Sequence, residues 1–154
     1  MRNRLDHIDE EILKLLYSNA RMPLKEIASK VYLSSPAVSA RIERLEESGI
    51  IKGYRAMINP SELGYHIKAF INLEVEPERK KEFNDFIKGC NFVIECNNVT
   101  GDFTMLIDVM FRSTEDLDHF IGDLQKYGST KTQIVFSTSV ENRSIPVWEE
   151  NTED

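Results

Sequence analysis

The first fifty residues carry apolar side chains at intervals of three and four, the spacing of amphipathic helices. Three such stripes follow one another along the chain. Their members are Leu5, Ile8, Ile12, Leu15 and Leu16; Leu24, Ile27, Ala28 and Val31; and Val38, Ile42 and Leu45. The pattern predicts three short helices that share one small core.

Capping residues predict where these helices begin and end. Pro23 is predicted as the first residue of the second helix, and Ser35 as the N-cap of the third, with Pro36 behind it. Gly49 predicts the end of the third helix. Because a tight turn joins the last two helices, the pattern is that of a helix-turn-helix, whose third helix would lie in the DNA major groove.

The outward side of the third helix supplies the candidate DNA contacts. Small side chains near its start would allow close approach to base edges, and arginines can reach guanine edges or phosphates. The candidates on or beside this side are Ser35, Pro36, Ser39, Ala40, Arg41 and Arg44. The alternative is a solvated face with ion pairs between residues three apart, and the residues alone leave both interpretations open.

The segment from Ile50 to Asn59 is rich in β-formers and predicts a strand or wing. Lys52 and Arg55 would then contact phosphates, or the segment would be a linker strand that pairs with a partner subunit. We therefore expect residues 1–60 to form a helix-turn-helix domain with a linker strand, and residues 61–154 to form a second domain.

The second half changes to the period of two that is typical of strands. The predicted order is a strand at 67–75, a helix opened by Pro77, strands at 92–99 and 103–111 around a turn, a helix from Ser113 to Gly128, and a strand at 132–140. This βαββαβ order predicts a ferredoxin-like α+β domain. Its helices cover one sheet face, so we expect the other to pair with a second copy.

Charge is divided unevenly between the halves. The net charge is −7, but residues 1–60 hold ten basic and eight acidic side chains, against nine and eighteen in residues 61–154. A mildly basic first half and an acidic second half suit a protein whose first half meets a polyanion. The basic excess is small and makes a weak argument by itself.

Other functional classes find little support in the sequence. Cys90 and Cys96 are too few for a disulfide framework, and no His or Cys spacing suggests a metal site. No nucleophile-and-base pair or phosphate loop is evident. We expect no cofactor and no catalytic residues. With no apolar run of about 18 residues and no signal segment, the expected location is the cytoplasm.

Three segments resemble the Lrp/AsnC, or feast/famine, family of transcription regulators. They are residues 5–13 (LDHIDEEIL), 33–51 (LSSPAVSARIERLEESGII) and 98–103 (NVTGDF). The resemblance implies dimerisation through the second domain and assembly into tetramers or octamers. It also implies that an amino acid binds between dimers at the turn after the second strand of that domain.

Carried onto this chain, the resemblance places the effector site at Gly101 and Asp102, with Thr132, Ile134 and Thr138 on the last strand. Thr104 departs from the family pattern, which has a second acidic residue at that position. An acidic group there would meet an α-amino group. The alternative is that Gly101 and Asp102 form an ordinary hairpin turn.

The sequence thus predicts a DNA-binding transcription regulator that responds to a small metabolite, with an amino acid as the expected effector. Two alternatives stay open. One is an architectural DNA-binding protein without a ligand. The other is an enzyme resembling the sirohaem decarboxylases of the same two-domain type, for which the second domain offers His66 and His119 but no basic cluster.

Overall fold

The computed structural model describes residues 5–141, which form two compact units: residues 5–57 with 140–141, and residues 58–139. The first unit holds α1 (His7–Ser18), α2 (Leu24–Lys30) and α3 (Ser35–Glu47). The second holds β1 (Ile67–Val75), α4 (Lys80–Lys88), β2 (Val93–Asn98), β3 (Met105–Phe111), α5 (Thr114–Leu124) and β4 (Gly128–Ile134). Short 3-10 turns at Pro60–Leu63 and Pro77–Arg79 precede β1 and α4.

The three predicted apolar stripes meet in the core of the first unit. Each helix contributes at least one fully or almost fully buried side chain to it: Ile12 from α1, Ile27 from α2, and Val38 and Leu45 from α3. Burying a branched aliphatic side chain contributes roughly 1.5–3 kcal/mol. The expected three-helix arrangement is confirmed.

Two predicted helix starts are off by one residue. Pro23 is the N-cap of α2 rather than its first residue, and Ser34 rather than Ser35 caps α3. The Ser34 hydroxyl accepts a hydrogen bond from the Ala37 amide at 3.3 Å, because a capping side chain reaches the amide three residues ahead. Pro36 then lies in the first turn, where its missing N–H costs nothing.

Residues 50–59 form no strand within the described chain, so a strand paired inside one subunit is wrong here, while a linker strand that pairs with a partner subunit stays a prediction. A strand exists only where a neighbour takes up its backbone hydrogen bonds. Residues 5–141 provide no such neighbour for this segment. The β-forming composition of Ile50, Ile51 and Ile58 is therefore not sufficient for a strand.

The second unit has the predicted ferredoxin-like fold. Its four strands form one antiparallel sheet in the order β2-β3-β1-β4. Side chains at alternate positions of β1 and β3 are buried against the two helices, including Ile71, Leu73, Ile107 and Val109. Phe83 of α4 is completely buried among them. No helix in the described part of the chain is long and apolar enough to cross a bilayer.

The last strand is displaced from its predicted position of 132–140. Gly128, expected to end a helix, is instead the first residue of β4, and the strand ends at Ile134. A Cβ at Gly128 would lie 1.8 Å from the Glu74 carbonyl oxygen, so this position needs glycine for close approach to β1. A glycine required by a neighbouring strand carries the same sequence signal as one that ends a helix.

Candidate functional site

The N-terminal half of α3 presents a surface of small side chains. Pro36 and Ala40 are exposed, and Ser35 and Ser39 are half-buried. The Ser39 hydroxyl donates to Glu43 at 3.1 Å, which leaves its oxygen able to accept. We call Ser35, Pro36, Ser39 and Ala40 the small-residue face. These four candidates lie together on one helix, as predicted.

The two arginines of α3 point toward α1. Arg41 Nη1 donates to Asp6 Oδ2 and Asp9 Oδ1, each at 2.7 Å, and Arg44 Nη2 donates to Asp9 Oδ2 at 2.6 Å. Their partners lie more than thirty residues away in the sequence, so neither interpretation offered for these arginines described this geometry. They were expected to be free for DNA or paired within α3. We call Asp6, Asp9, Arg41 and Arg44 the α1–α3 ion cluster.

Asp9 is the centre of that cluster. Its side chain is 1% exposed, while that of Arg41 is 24% exposed. The Asp9 carboxylate also accepts from the Asp6 amide at 3.2 Å, and the Asp6 carboxylate accepts from the Asp9 amide at 2.8 Å. A carboxylate buried this deeply is tolerated only when charged donors satisfy it. Asp9 therefore both completes the capping box of α1, whose N-cap is Asp6, and joins α1 to α3.

The ion cluster shifts the pKa of two of its members, Asp6 and Arg41. The hydrogen bond from Arg41 lowers the pKa of Asp6 below its usual value, with further lowering from the Asp9 amide. Hydrogen bonds to Asp6 and Asp9 raise the pKa of Arg41. These hydrogen bonds favour the charged forms of Asp6 and Arg41.

Lys52 and Arg55 are exposed on the segment that follows α3. Between them, the Tyr54 hydroxyl donates to Glu46 at 2.8 Å, which ties the segment to the end of α3. Partial burial and this carboxylate raise the pKa of Tyr54 to about 12. Lys52 and Arg55 are thus tethered near α3, while their own side chains are open to solvent.

The predicted effector turn lies between β2 and β3. Gly101 has a φ of +113°, a backbone conformation that favours glycine. Asp102 is exposed. The Thr104 hydroxyl accepts from the Val75 amide at 3.0 Å and donates to the Leu73 carbonyl at 3.2 Å, so it joins the turn to the end of β1. The side chain at the position where the family has an acid is engaged by the fold.

The remaining predicted effector residues do not meet this turn within one chain. Thr132 and Ile134 lie on β4, across β1 from β3, paired with Ile71 and Ala69. Thr138 lies beyond the end of β4, which corrects its predicted place on that strand. Ile134 is four residues along β1 from the level of the turn, a distance of about 13 Å at the usual strand rise.

A cavity that the sequence did not predict lies in the second unit. Its volume is about 350 Å³, and its residues come from the ends of β3 and α5 and from the segments before β1 and β2. Phe92, Phe111 and Phe120 pack together at its base, with ring centroids 4.6–5.7 Å apart. Arg112 and His119 line it as well, and the Arg112 guanidinium lies 5.0 Å from the Tyr65 ring centroid. These residues come from separate parts of the sequence, so only the fold could assemble them.

Comparison with known families agrees with both units. Residues 5–52 match the sequence model of the winged helix-turn-helix DNA-binding family, and residues 68–145 match that of the Lrp/AsnC ligand binding domain.

Individual relatives extend the similarity to nearly the whole chain. The HTH-type transcriptional regulator FL11 of Pyrococcus furiosus is 33% identical over 96% of this chain and 99% of its own. LrpA of Bacillus subtilis is 38% identical over 85% of this chain and 97% of its own. Among solved structures, B. subtilis LrpC has a TM-score of 0.85 at 27% identity, covering 90% of this chain and 99% of its own. A transcriptional regulator of Neisseria meningitidis in complex with L-Met has the same fold, with a TM-score of 0.87 at 24% identity over 93% of this chain and 97% of its own.

The α1–α3 ion cluster predicts that removing the charge of Asp9 alone strongly lowers the stability of the fold. Asp9→Asn replaces an acceptor oxygen with an amide donor that faces an arginine, and we expect it to lower the free energy of unfolding by roughly 2–4 kcal/mol. Glu11→Gln is the control, because Glu11 pairs with Lys14 on the helix surface and should cost less than about 1 kcal/mol. Denaturant titration of the three proteins measures both effects, and equal losses would contradict the role of Asp9.

The same cluster predicts how stability depends on pH. The pKa of Asp6 is lowered in the folded chain, so its contribution is present above the unfolded-state pKa and is lost as pH falls through the folded value. We therefore expect Arg41→Ala to lose less stability on acidification from pH 5 to pH 2 than the wild type. Melting temperatures across that range test this, and parallel curves would show that Arg41 does not set the Asp6 pKa.

Proposed function

Because the chain belongs to the Lrp/AsnC family of transcription regulators, we propose that its small-residue face enters the DNA major groove and that its second unit binds the effector. The main observation that supports DNA binding is that this face lies at the N-terminal end of α3 in a folded helix-turn-helix. Small side chains let the helix backbone approach base edges closely. We assign DNA binding to residues 1–60, and effector binding and assembly to residues 61–154. A regulator acts where the DNA is, so the cytoplasm stays its expected location.

The charges near α3 have two separate roles in this proposal. Lys52 and Arg55 contact phosphates, because their side chains are exposed and Tyr54 holds the segment against α3. Arg41 and Arg44 support DNA binding by fixing α3 against α1, because their guanidinium groups already bind Asp9. A helix held by two ion pairs keeps its reading surface in one orientation.

For the effector we propose an amino acid that binds at the turn containing Gly101 and Asp102. The Neisseria relative was solved with L-Met, and the exposed Asp102 carboxylate can accept charge-assisted hydrogen bonds from an ammonium group. Thr104 already bonds to β1 at both its donor and acceptor sites. A single acidic group at the site suggests modest affinity for a zwitterion.

We further propose that two copies associate through the sheet face that no helix covers. This open face carries Phe70, Leu106 and Met110, and its charged Lys68 lies 3.4 Å from Asp108 across β1 and β3. Because these charges pair within one chain, the apolar side chains are left for contact with the second copy. Tetramers or octamers would require further contacts between such dimers.

Named regulators among the relatives favour a regulator over the two alternative classes. An architectural DNA binder would share the small-residue face but show no response to amino acids. An enzyme of the sirohaem decarboxylase type would need cationic groups around a tetrapyrrole. Arg112 and His119 line the cavity, whose side chains also include the acidic Asp116 and Asp123.

The DNA-binding proposal is tested by Ala40→Glu. Ala40 is exposed, so the substitution should leave the fold intact while placing a carboxylate against the phosphates and bases. We expect affinity for a duplex selected by the wild type from random sequences to fall at least tenfold. Gln125→Glu, on the exposed turn after α5, adds the same charge elsewhere and controls for net charge. Equal affinity of both variants in fluorescence anisotropy would place the DNA interface outside this face.

The effector proposal is tested by Asp102→Ala. A thermal-shift screen of the wild type against the common amino acids identifies the ligand, since saturation at 100 times Kd adds about 2.7 kcal/mol. We expect the variant to bind DNA normally and to lose this response. Arg112→Gln is the matched variant at the cavity. A response that survives Asp102→Ala and disappears in Arg112→Gln would move the effector site to the cavity.

The dimer proposal predicts that Leu106→Glu separates the subunits. Leu106 lies at the middle of the open face, opposite Asn72 and Asn97, where a buried unpaired carboxylate would be costly. We expect the dimer dissociation constant to rise by about a hundredfold in sedimentation equilibrium. Leu63→Glu makes the same change at an exposed leucine before β1 and should leave the dimer intact. A monomeric wild type at micromolar concentration would refute the proposal outright.

A further inference from the structure

The turn between α2 and α3 has an unusual residue at its strained position. α2 ends with a six-residue closure in which the Leu33 amide donates to the Ala28 carbonyl at 3.0 Å. This closure requires a left-handed residue just before Leu33, a position normally occupied by glycine. Here that residue is Tyr32, with a φ of +56°, and within residues 5–141 no other non-glycine residue has a positive φ. A bulky side chain is sterically disfavoured in this conformation.

The strain at Tyr32 is not offset by contacts made by its side chain. Tyr32 is 93% exposed. Its hydroxyl and ring make no hydrogen bond, ion pair or ring contact with any residue from 5 to 141. Glycine would close the same turn without steric cost. The packing of the chain therefore gives no reason for a tyrosine here.

The location of Tyr32 suggests that the tyrosine serves a contact with a molecule outside the chain. It precedes Ser34, the N-cap of α3, by two residues, and so lies next to the end of the helix that carries the small-residue face. When the start of a recognition helix enters the major groove, residues just before it meet the flanking sugar-phosphate backbone. A phenol in that place combines an apolar ring with a neutral hydrogen-bond donor.

We propose that Tyr32 is a DNA-contacting residue whose hydroxyl donates a hydrogen bond to a backbone phosphate while its ring packs on the adjacent deoxyribose. The inference rests on the proposed insertion of α3 into the major groove. It follows that Tyr32, compared with glycine at this position, lowers the stability of the fold and raises the affinity for DNA. Because phosphates are common to all sequences, the contact strengthens binding without selecting bases.

The test compares stability and affinity in Tyr32→Gly, Tyr32→Asn and Tyr32→Phe. Glycine relieves the strain and removes the contact, so we expect a melting temperature higher by roughly 4 °C and DNA affinity about tenfold weaker. Asparagine tolerates the left-handed conformation and should weaken binding equally, with stability at least that of the wild type. Phenylalanine keeps the strain and the ring but lacks the hydroxyl, so its melting temperature should be unchanged and its DNA affinity should fall by less than that of the glycine variant.

Two further readouts identify the contact as one to phosphate. The loss should be similar on the duplex selected by the wild type and on an unrelated duplex of equal length. The slope of log affinity against log salt should stay at the wild-type value, because a phenol releases no counterion. A loss confined to the selected duplex would indicate a base contact and overturn the phosphate assignment.

Ala40→Glu, measured alongside, separates this inference from the proposed function. If Ala40→Glu loses binding while all Tyr32 variants bind within twofold of the wild type, the role of Tyr32 is refuted and the small-residue face stands. If neither position affects binding, the proposed face and the inference both fail. A Tyr32→Gly variant that is less stable than the wild type would also refute the inference, because the ring would then be part of the fold.

Discussion

A single buried carboxylate, that of Asp9, determines how the first unit is organised. It completes the capping box of α1, accepts from Arg41 and Arg44 of α3, and is almost completely removed from solvent. A charge in that position would be prohibitively costly if the helices shifted and left it unpaired. The two arginines are therefore committed to the fold, and α3 is held in one orientation relative to α1.

The ion pairs of Arg41 and Arg44 bear on how the proposed DNA recognition would work. With its arginines engaged, α3 offers mainly small or neutral groups near its N-terminal end. In the proposed mode of binding, cationic contacts would come from Lys52 and Arg55, which are exposed on a segment tied to α3 by Tyr54.

In the second unit, too, polar side chains are paired with other groups of the same unit. Thr104 uses its hydroxyl to close the end of β1, and Lys68 faces Asp108 across the sheet. Even so, burial raises the pKa of Asp108, with a smaller contribution from Glu95, and Lys68 only partly opposes this. The Asp108 carboxylate is thus a partly buried charge on the open face. A second copy on that face would have to accommodate it.

The sequence by itself determined the helices, the order of the strands and the two-unit organisation, because these follow from local periodicity and capping. It also identified the small-residue face and the Gly101 turn, whose members are close in sequence. Only the tertiary structure decided the partners of Arg41 and Arg44, the start of β4 at Gly128 and the cavity beside Arg112. Each of these depends on a contact between distant segments, and a glycine or an arginine carries the same local signal whichever partner it meets. The absence of a strand at residues 50–59 has the same origin, since strand formation depends on a neighbour as well as on propensity.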